Sequence, residues 1–273
     1  MERTLEHESC MLANMHHPNI VGFRAAQRLS DGHLCLALEH CDLSLYSMIQ
    51  ERVKPHGGCV SPSREARLGC VFASEEMRTI GHAIASGLSF LHNEHRLMHG
   101  DVKSANILLS CDLTRIKICD LGVSIPLRHD LTCTLHLGAQ YDGTEPWRPP
   151  ETLLRADADF CEEDPEALDA LGREEGLCLC DRTDVFAFGL VLWELFSGDV
   201  PHAAMLSSGD DAYRAALGTR PPLPRLPSSY AIMERIFHCC THRHPPRRPS
   251  ARELEQLLAP EGGEPCMPSS PGQ

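Results

Sequence analysis

The stretch His99-Gly100-Asp101-Val102-Lys103-Ser104-Ala105-Asn106, followed fourteen positions later by Asp120-Leu121-Gly122, constrains this chain more than any other. Two carboxylates, a lysine and an amide on neighbouring loops are what phosphoryl transfer from a magnesium nucleotide requires. One carboxylate accepts or orients the attacking hydroxyl. The other, with the amide oxygen, offers hard ligands to Mg2+, and the lysine offsets charge on the moving phosphoryl. Asp and Asn are also common in ordinary turns, and each motif alone fits that plainer reading. Their order and spacing together favour the chemistry.

The flanking pattern supplies a scaffold. Leu5, Cys10 (or Glu8 and Leu12), Met11 and Met15 recur at helical spacing, and the pattern breaks at His17-Pro18. Ile20 to Ala26 and Leu34 to Leu38 read as strands joined by an Asp31-Gly32 turn. Residues 53–69 are polar and turn-rich, hence a loop. Met77, Ile80, Ile84, Leu88 and Leu91 share one helix face, with Ser74 as the expected N-cap. Leu97 to Cys119 reads as short apolar strands around the polar loop. Val185 to Leu195 is apolar on nearly every side and ends at Gly198, the pattern of a helix buried all round. Met233, Ile236, Phe237 and Cys240 mark a short amphipathic helix. Ser250-Ala251-Arg252-Glu253 is a capping box opening another, with Leu254, Leu257 and Leu258 expected inside. Residues 155–182 are acidic and aperiodic and read as a surface insertion, and the tail from Pro260 as disordered.

Composition narrows the function classes. With 25 Lys+Arg against 38 Asp+Glu, the net charge is −13, which disfavours nucleic acid and anionic membranes as partners. The longest apolar stretch, Val185 to Trp193, falls short of the ~20 residues that span a bilayer. Fourteen cysteines behind an opening MERTLEHESC with no apolar core predict reduced thiols in the cytoplasm or nucleus.

The order of the motifs resembles the eukaryotic protein kinases, where H-R-D-x-x-x-x-N precedes D-F-G and A-P-E. The pieces here are HGDVKSAN, DLG and Pro149-Pro150-Glu151, with Arg248 resembling the arginine that pairs with that glutamate. HGD with Gly100 in place of Arg, KICDLGVS, GTEPWRPPE, DVFAFGLVLWE and AALGTRPP are similar, more narrowly, to the lymphokine-activated killer T-cell-originated (PDZ-binding) kinases, grouped with the MAP kinase kinases. The resemblance covers residues 5–258. It implies an α+β, bilobal kinase-like fold: a partial N-lobe over residues 1–40 (the family's αC, β4 and β5), a mainly helical C-lobe over 41–259 carrying the 155–182 insertion, and a tail from 260 to 273. It further implies ATP and Mg2+ as cofactors and a protein Ser/Thr substrate, with Tyr an open addition. Carried over by position, Asp101 would be the catalytic base, Lys103 the phosphoryl-charge partner, and Thr144 a seat for the substrate hydroxyl. Asn106 and Asp120 would hold Mg2+. Glu8 would be the αC glutamate, Leu38 the gatekeeper, and Glu39 and Cys41 the hinge residues bonding adenine through their backbone, with Leu108 also in the cofactor site. Leu12, Phe23, His99 and Leu121 would stack as an apolar spine.

Plainer readings stand beside these. Glu8 also fits a solvated helix charge, and His99 a packed core histidine rather than a proton shuttle. Cys178, Cys180, Cys239, Cys240, His242 and His244 lack a common zinc spacing. Thr132, Thr134 and Tyr141 are open to phosphorylation and equally to being solvated hydroxyls. The ending Ser270-Pro271-Gly272-Gln273 departs from the S/T-x-hydrophobic tail that PDZ domains read, which puts PDZ binding in doubt. The only lysines are Lys54, Lys103 and Lys117, none is placed as the family's β3 lysine, and no glycine-rich loop precedes Glu8. One lost charge-stabilising contact costs about 10²–10³ in rate, so weak kinase activity is expected of this polypeptide, with a pseudokinase-like interaction module as the alternative. Turnover within about tenfold of a full-length relative, in a radiolabelled-phosphate assay, contradicts that expectation.

Overall fold

The computed structural model describes residues 2–30, 32–54, 70–135, 141–153 and 177–260. Helix α1 (Glu2–Leu12) leads into β1 (Phe23–Arg28), β2 (Leu34–Leu38), β3 (Leu43–Ser44) and α2 (Leu45–Val53). Then follow α3 (Ser74–Asn93), β4 (Leu97–Met98), β5 (Ile107–Leu109), β6 (Ile116–Ile118), β7 (Ile125–Pro126), β8 (Thr132–Leu135) and β9 (Leu177–Cys180). The remainder is helical: α4 (Arg182–Ser197), α5 (Ala203–Leu206), α6 (Asp210–Ala216), α7 (Ala231–Cys240) and α8 (Ala251–Leu258). The strands form small sheets, ordered β1-β2, β3-β5-β6, β4-β7 and β8-β9, all antiparallel. This is the mixed α+β arrangement the sequence pattern implies.

The core follows the apolar periodicities. Met77, Ile80, Ile84, Leu88 and Leu91 of α3 are all fully buried, and α3 packs on α8 and β6. Helix α4 is buried on every side from Thr183 to Phe196, because it carries no polar face to turn outward. It stops at Gly198, whose left-handed φ of 76° and close walls both require glycine. A Cβ there would stand 2.6 Å from the Val53 side chain and 2.7 Å from Val71.

Several expectations are corrected. The first strand begins at Phe23, not Ile20, because residues 19–21 pair with β6 instead: Ile118 N–H donates to Asn19 O at 2.8 Å and Val21 N–H to Ile118 O at 2.9 Å. Asp31 of the expected turn lies outside the described residues; Leu29 N–H to His33 O, 2.8 Å, closes the hairpin. Helix α2 is unforeseen; Ser44 caps it by accepting from Ser47 N–H at 3.1 Å. Ser74 is not the N-cap of α3 but its first residue, its hydroxyl donating to Ser229 O. The cap is Ala73, and since alanine has no capping side chain, Glu76 reaches back to its N–H at 2.8 Å. Residues 177–182 are not part of an aperiodic insertion but form β9 and the start of α4, while 154–176 lie outside the described residues, as do 55–69 and the tail from 261. In α8, Leu254 and Leu258 face inward, but Leu257 is 57% exposed.

The expected pairing of Arg248 is present. Its guanidinium meets Glu151 fork to fork at 2.6 and 2.8 Å, fully buried, and spends its remaining N–H groups on His242 O, Arg182 O and Arg243 O. It thereby ties the Pro149-Pro150-Glu151 turn to the start of α4 and to the loop before α8. Removing one partner strands a buried charge, so Arg248→Ala is expected to lower stability by ~3–5 kcal/mol. Replacing both, Glu151→Leu with Arg248→Met, is expected to cost less than the single change. Urea unfolding of the two variants checks this, and a double variant as damaged as Arg248→Ala contradicts it.

Candidate active site

The loop from His99 to Asn106 leaves β4 and enters β5, and its shape is imposed from below. Asp184, fully buried in the first turn of α4, accepts three hydrogen bonds: from His99 N–H (2.8 Å), Gly100 N–H (2.9 Å) and His92 Nε2 (2.7 Å). Burial pushes its pKa up, but the hydrogen bonds from His92 and from Gly100 N–H hold it below the usual carboxylate value. Gly100 takes a left-handed φ of 82°, and a Cβ there would lie 2.9 Å from Val123 O.

His99 is a packed histidine. Its Nδ1 accepts Asp101 N–H at 3.2 Å, which leaves the proton on Nε2, donated to Cys119 O at 3.0 Å. Cys119 N–H in turn donates to Asn106 O at 2.9 Å. These two bonds clasp the Asp120-Leu121-Gly122 turn to the 99–106 loop.

Asp101, Lys103, Asn106 and Thr144 come together. Asp101 Oδ1 accepts both the hydroxyl (2.7 Å) and the N–H (2.8 Å) of Thr144. Its Oδ2 receives Lys103 Nζ at 2.6 Å, and Lys103 also reaches Thr144 Oγ1 at 2.7 Å. Burial opposes the charge on Asp101, yet the Lys103 and Thr144 bonds outweigh it and hold the carboxyl below its ordinary pKa. Asn106 turns its amide N–H groups to Asp101 O (2.9 Å) and Oδ2 (3.2 Å), which leaves its carbonyl oxygen as the open acceptor.

Asp120 sits in a left-handed turn, φ 65°, with an exposed side chain that receives only a long 3.4 Å bond from Gly122 N–H among the described residues. Glu8 approaches from α1. It is buried, not solvated, and the backbone N–H groups of Leu121 and Asp120 bond its carboxylate. Burial, then the Asp120 charge, raises its pKa. His7 of the same helix donates to Ser124 Oγ at 3.1 Å, since the Ser124 hydroxyl proton goes to Leu121 O. Among the spine residues, Leu12, His99 and Leu121 are buried and Phe23 packs partly buried against the core.

The segment after β2 holds the residues expected to border adenine. Glu39 N–H donates to Gly22 O at 2.7 Å, so its carbonyl is what it can offer a ligand. Its side chain pairs with Lys117 at 2.9 Å and accepts Gly22 N–H at 3.2 Å. Lys117 completes its shell on Pro18 O and Ile20 O. Leu38 and Leu108 are half-buried against the core. Burial, then the Glu39 charge, raises the Cys41 thiol, and burial pushes Cys119 up to about 12, so neither is a ready thiolate.

Thr132 and Thr134 lie in β8, paired with Cys180 and Cys178 of β9, rather than in an open loop. Tyr141 is buried with Met98, Leu127, Cys133 and Leu179. Among the described residues no cluster of three or more His, Cys, Asp or Glu forms a metal site. No described helix is long and apolar enough to cross a membrane.

Residues 1–258 match the family described as protein tyrosine and serine/threonine kinase. The chain belongs to that kinase family. It is similar to the human lymphokine-activated killer T-cell-originated protein kinase, 37% identical across 94% of this chain and 74% of the relative. The nematode mitogen-activated protein kinase kinase kinase zak-1 from Caenorhabditis elegans is 26% identical across 93% of this chain but 30% of its own length. The rat mitogen-activated protein kinase kinase kinase 12 is 27% identical across 89% of this chain and 22% of its own.

The residue that sequence reasoning missed in this kinase is Glu194, a lone carboxylate within the apolar run of α4. Fully buried, it accepts the Ser104 hydroxyl at 2.6 Å and the Trp147 indole N–H at 2.9 Å, joining the 99–106 loop to the turn after Thr144. Its isolation among apolar residues was the available signal, because a buried acid must find donors. Burial pushes it up to about 8 despite both donors. Between the unfolded value and about pH 8 the fold therefore keeps a proton that the unfolded chain releases. That contribution is present at acid pH and lost as pH rises through about 8. Glu194→Gln, which stays neutral, is expected to flatten the pH dependence of unfolding between about pH 5 and 8 by up to ~1.4 kcal/mol per pH unit. Parallel curves for parent and variant contradict the assignment.

Proposed function

We propose that this kinase transfers the γ-phosphoryl of Mg-ATP to serine or threonine hydroxyls of a protein, as a MAP kinase kinase-like enzyme. Tyrosine remains a candidate second acceptor. The observation that carries this is Asp101: an ionised carboxylate with Lys103 on one oxygen and Thr144 on the other. In this role Asp101 orients the incoming hydroxyl and takes its proton late, as a loose phosphoryl-transfer transition state needs. Thr144 fixes Asp101 in place and borders the substrate hydroxyl. Lys103 lies within reach of both and counters charge on the moving phosphoryl.

The donor chemistry suits magnesium. Asp120 offers a free carboxylate and Asn106 a free amide oxygen, hard ligands for an ion that keeps several waters. When bound, the ion neutralises charge on the nucleotide phosphates. Leu38, Cys41, Leu108 and the Glu39 carbonyl would border adenine, where residues 1–40 meet residues 41–259. Glu8 secures the Asp120 turn through its backbone. Cys10, Cys35, Cys41, Cys119, Cys133, Cys178, Cys180, Cys239 and Cys240 form no disulfide among the described residues, which supports a reducing cytoplasmic or nuclear setting. A second reading, a pseudokinase-like interaction module, rests on Glu8, which meets backbone N–H groups and no lysine among the described residues.

Asp101→Asn is expected to lower phosphate transfer to a generic protein substrate at least ~10²-fold with an unchanged melting temperature. Asp120→Asn is expected to abolish the Mg-dependent thermal shift by ATP. Equal label incorporation by parent and Asp101→Asn overturns the reading, and a parent chain with no Mg-ATP shift favours the interaction module.

A further inference from the structure

One segment of this acidic chain is locally basic. Residues 231–252 hold five arginines and one glutamate within a chain of net charge −13. A groove of about 480 Å3 runs between α7, α8 and the loop joining them, bordered by Arg182, Arg235 and Arg247 and by Ile232, Cys239 and Leu257. Ile232 and Leu257, 62% and 57% exposed, are the two most exposed large apolar side chains among the described residues, and both stand in this groove. Ile236 and Leu254 lie buried at its base.

The charges differ in availability. Arg248 is spent on Glu151, and Arg182 is shared with Asp181. Arg235 and Arg247 have no ion-pair partner among the described residues. Glu253, the one acid lining the groove, holds its Oε2 on the N–H and hydroxyl of Ser250 and is set against the two guanidinium groups of Arg235 and Arg247. Uncovered aliphatics between unpaired guanidinium groups match a ligand with the opposite charge and its own apolar side chains. No aromatic ring borders the groove to stack a base, which favours a peptide over a nucleic acid.

We infer that the groove between α7 and α8 docks a partner protein through an acidic segment carrying bulky apolar side chains. The apolar residues cover Ile232 and Leu257 while the carboxylates pair with Arg235 and Arg247. The site is separate from the phosphoryl-transfer residues, so its test does not depend on activity.

The probe is a fluorescein-labelled peptide, DEELFEELFEED, titrated into the whole chain. Micromolar binding is expected, weakening at least about tenfold for Arg235→Glu/Arg247→Glu and for Ile232→Asp/Leu257→Asp, with melting temperatures unchanged. Binding also falls as salt rises from about 50 to about 500 mM. The peptide is expected to protect exposed Cys239 from iodoacetamide while exposed Cys10 and Cys35 react at unchanged rates. The inference is overturned by no binding or by variants that bind like the parent. Equally tight binding of a peptide with lysine for each acid, or of an oligothymidylate, also overturns it. So does protection of Cys239 by a second copy of the chain, without peptide, at high protein concentration.

Discussion

The structure depends on one buried carboxylate. Asp184 has no water to share its charge, so it takes the N–H groups of His99 and Gly100 and the imidazole of His92. Those bonds hold two consecutive peptide units against the first turn of α4 and bend the chain so that Asp101 emerges at the loop's crest. Glu194, later in the same helix, repeats the device beneath Ser104 and Trp147. A helix too apolar to face water thus becomes the platform for the most polar loop in the molecule. Its two acids are sited where that loop must be held.

From this platform the order spreads through backbone contacts more than through charge pairs. His99 and Asn106 clasp Cys119, Cys119 carries Asp120, and Glu8 and His7 reach the same turn from α1. Each link is a directional hydrogen bond at least partly shielded from water, where an unmade bond costs more than a made one gains. The turn bearing Asp120 is therefore fixed from the 99–106 loop and from α1 together, although these lie far apart in sequence. Lys117, adjacent to that turn in sequence, contributes differently: it joins Glu39 to the 18–20 segment and closes the edge between β2 and β6.

Much of this was legible where local periodicity and burial agree. The faces of α3 and α7, the all-round burial of α4 and the Ser250 capping box follow from side-chain spacing, since a helix has one way to hide such stripes. Errors arose where a distant partner overrode the local signal. Ile20 belongs to β6 by pairing rather than to its own strand, and Ala73 is capped only because Glu76 bends back to it. Leu257 stands outside because α8 turns Leu254 and Leu258 to the core. Residues 177–180 carry no readable strand period; β8 makes them one.

Asp101, Lys103, Asn106 and Asp120 were legible in the sequence from motif order and spacing, whereas Thr144 and the pairing of Arg248 with Glu151 came from the resemblance to the kinases. Only the tertiary structure decided that Glu8 is buried against the Asp120 turn and that Glu39 keeps just its carbonyl free. It alone revealed that Glu194 holds the loop from beneath and that Ile232 and Leu257 stand uncovered between arginines. The reason is physical: hydrogen-bond satisfaction and burial depend on what arrives from other parts of the chain, and spacing along one segment carries no information about that arrival.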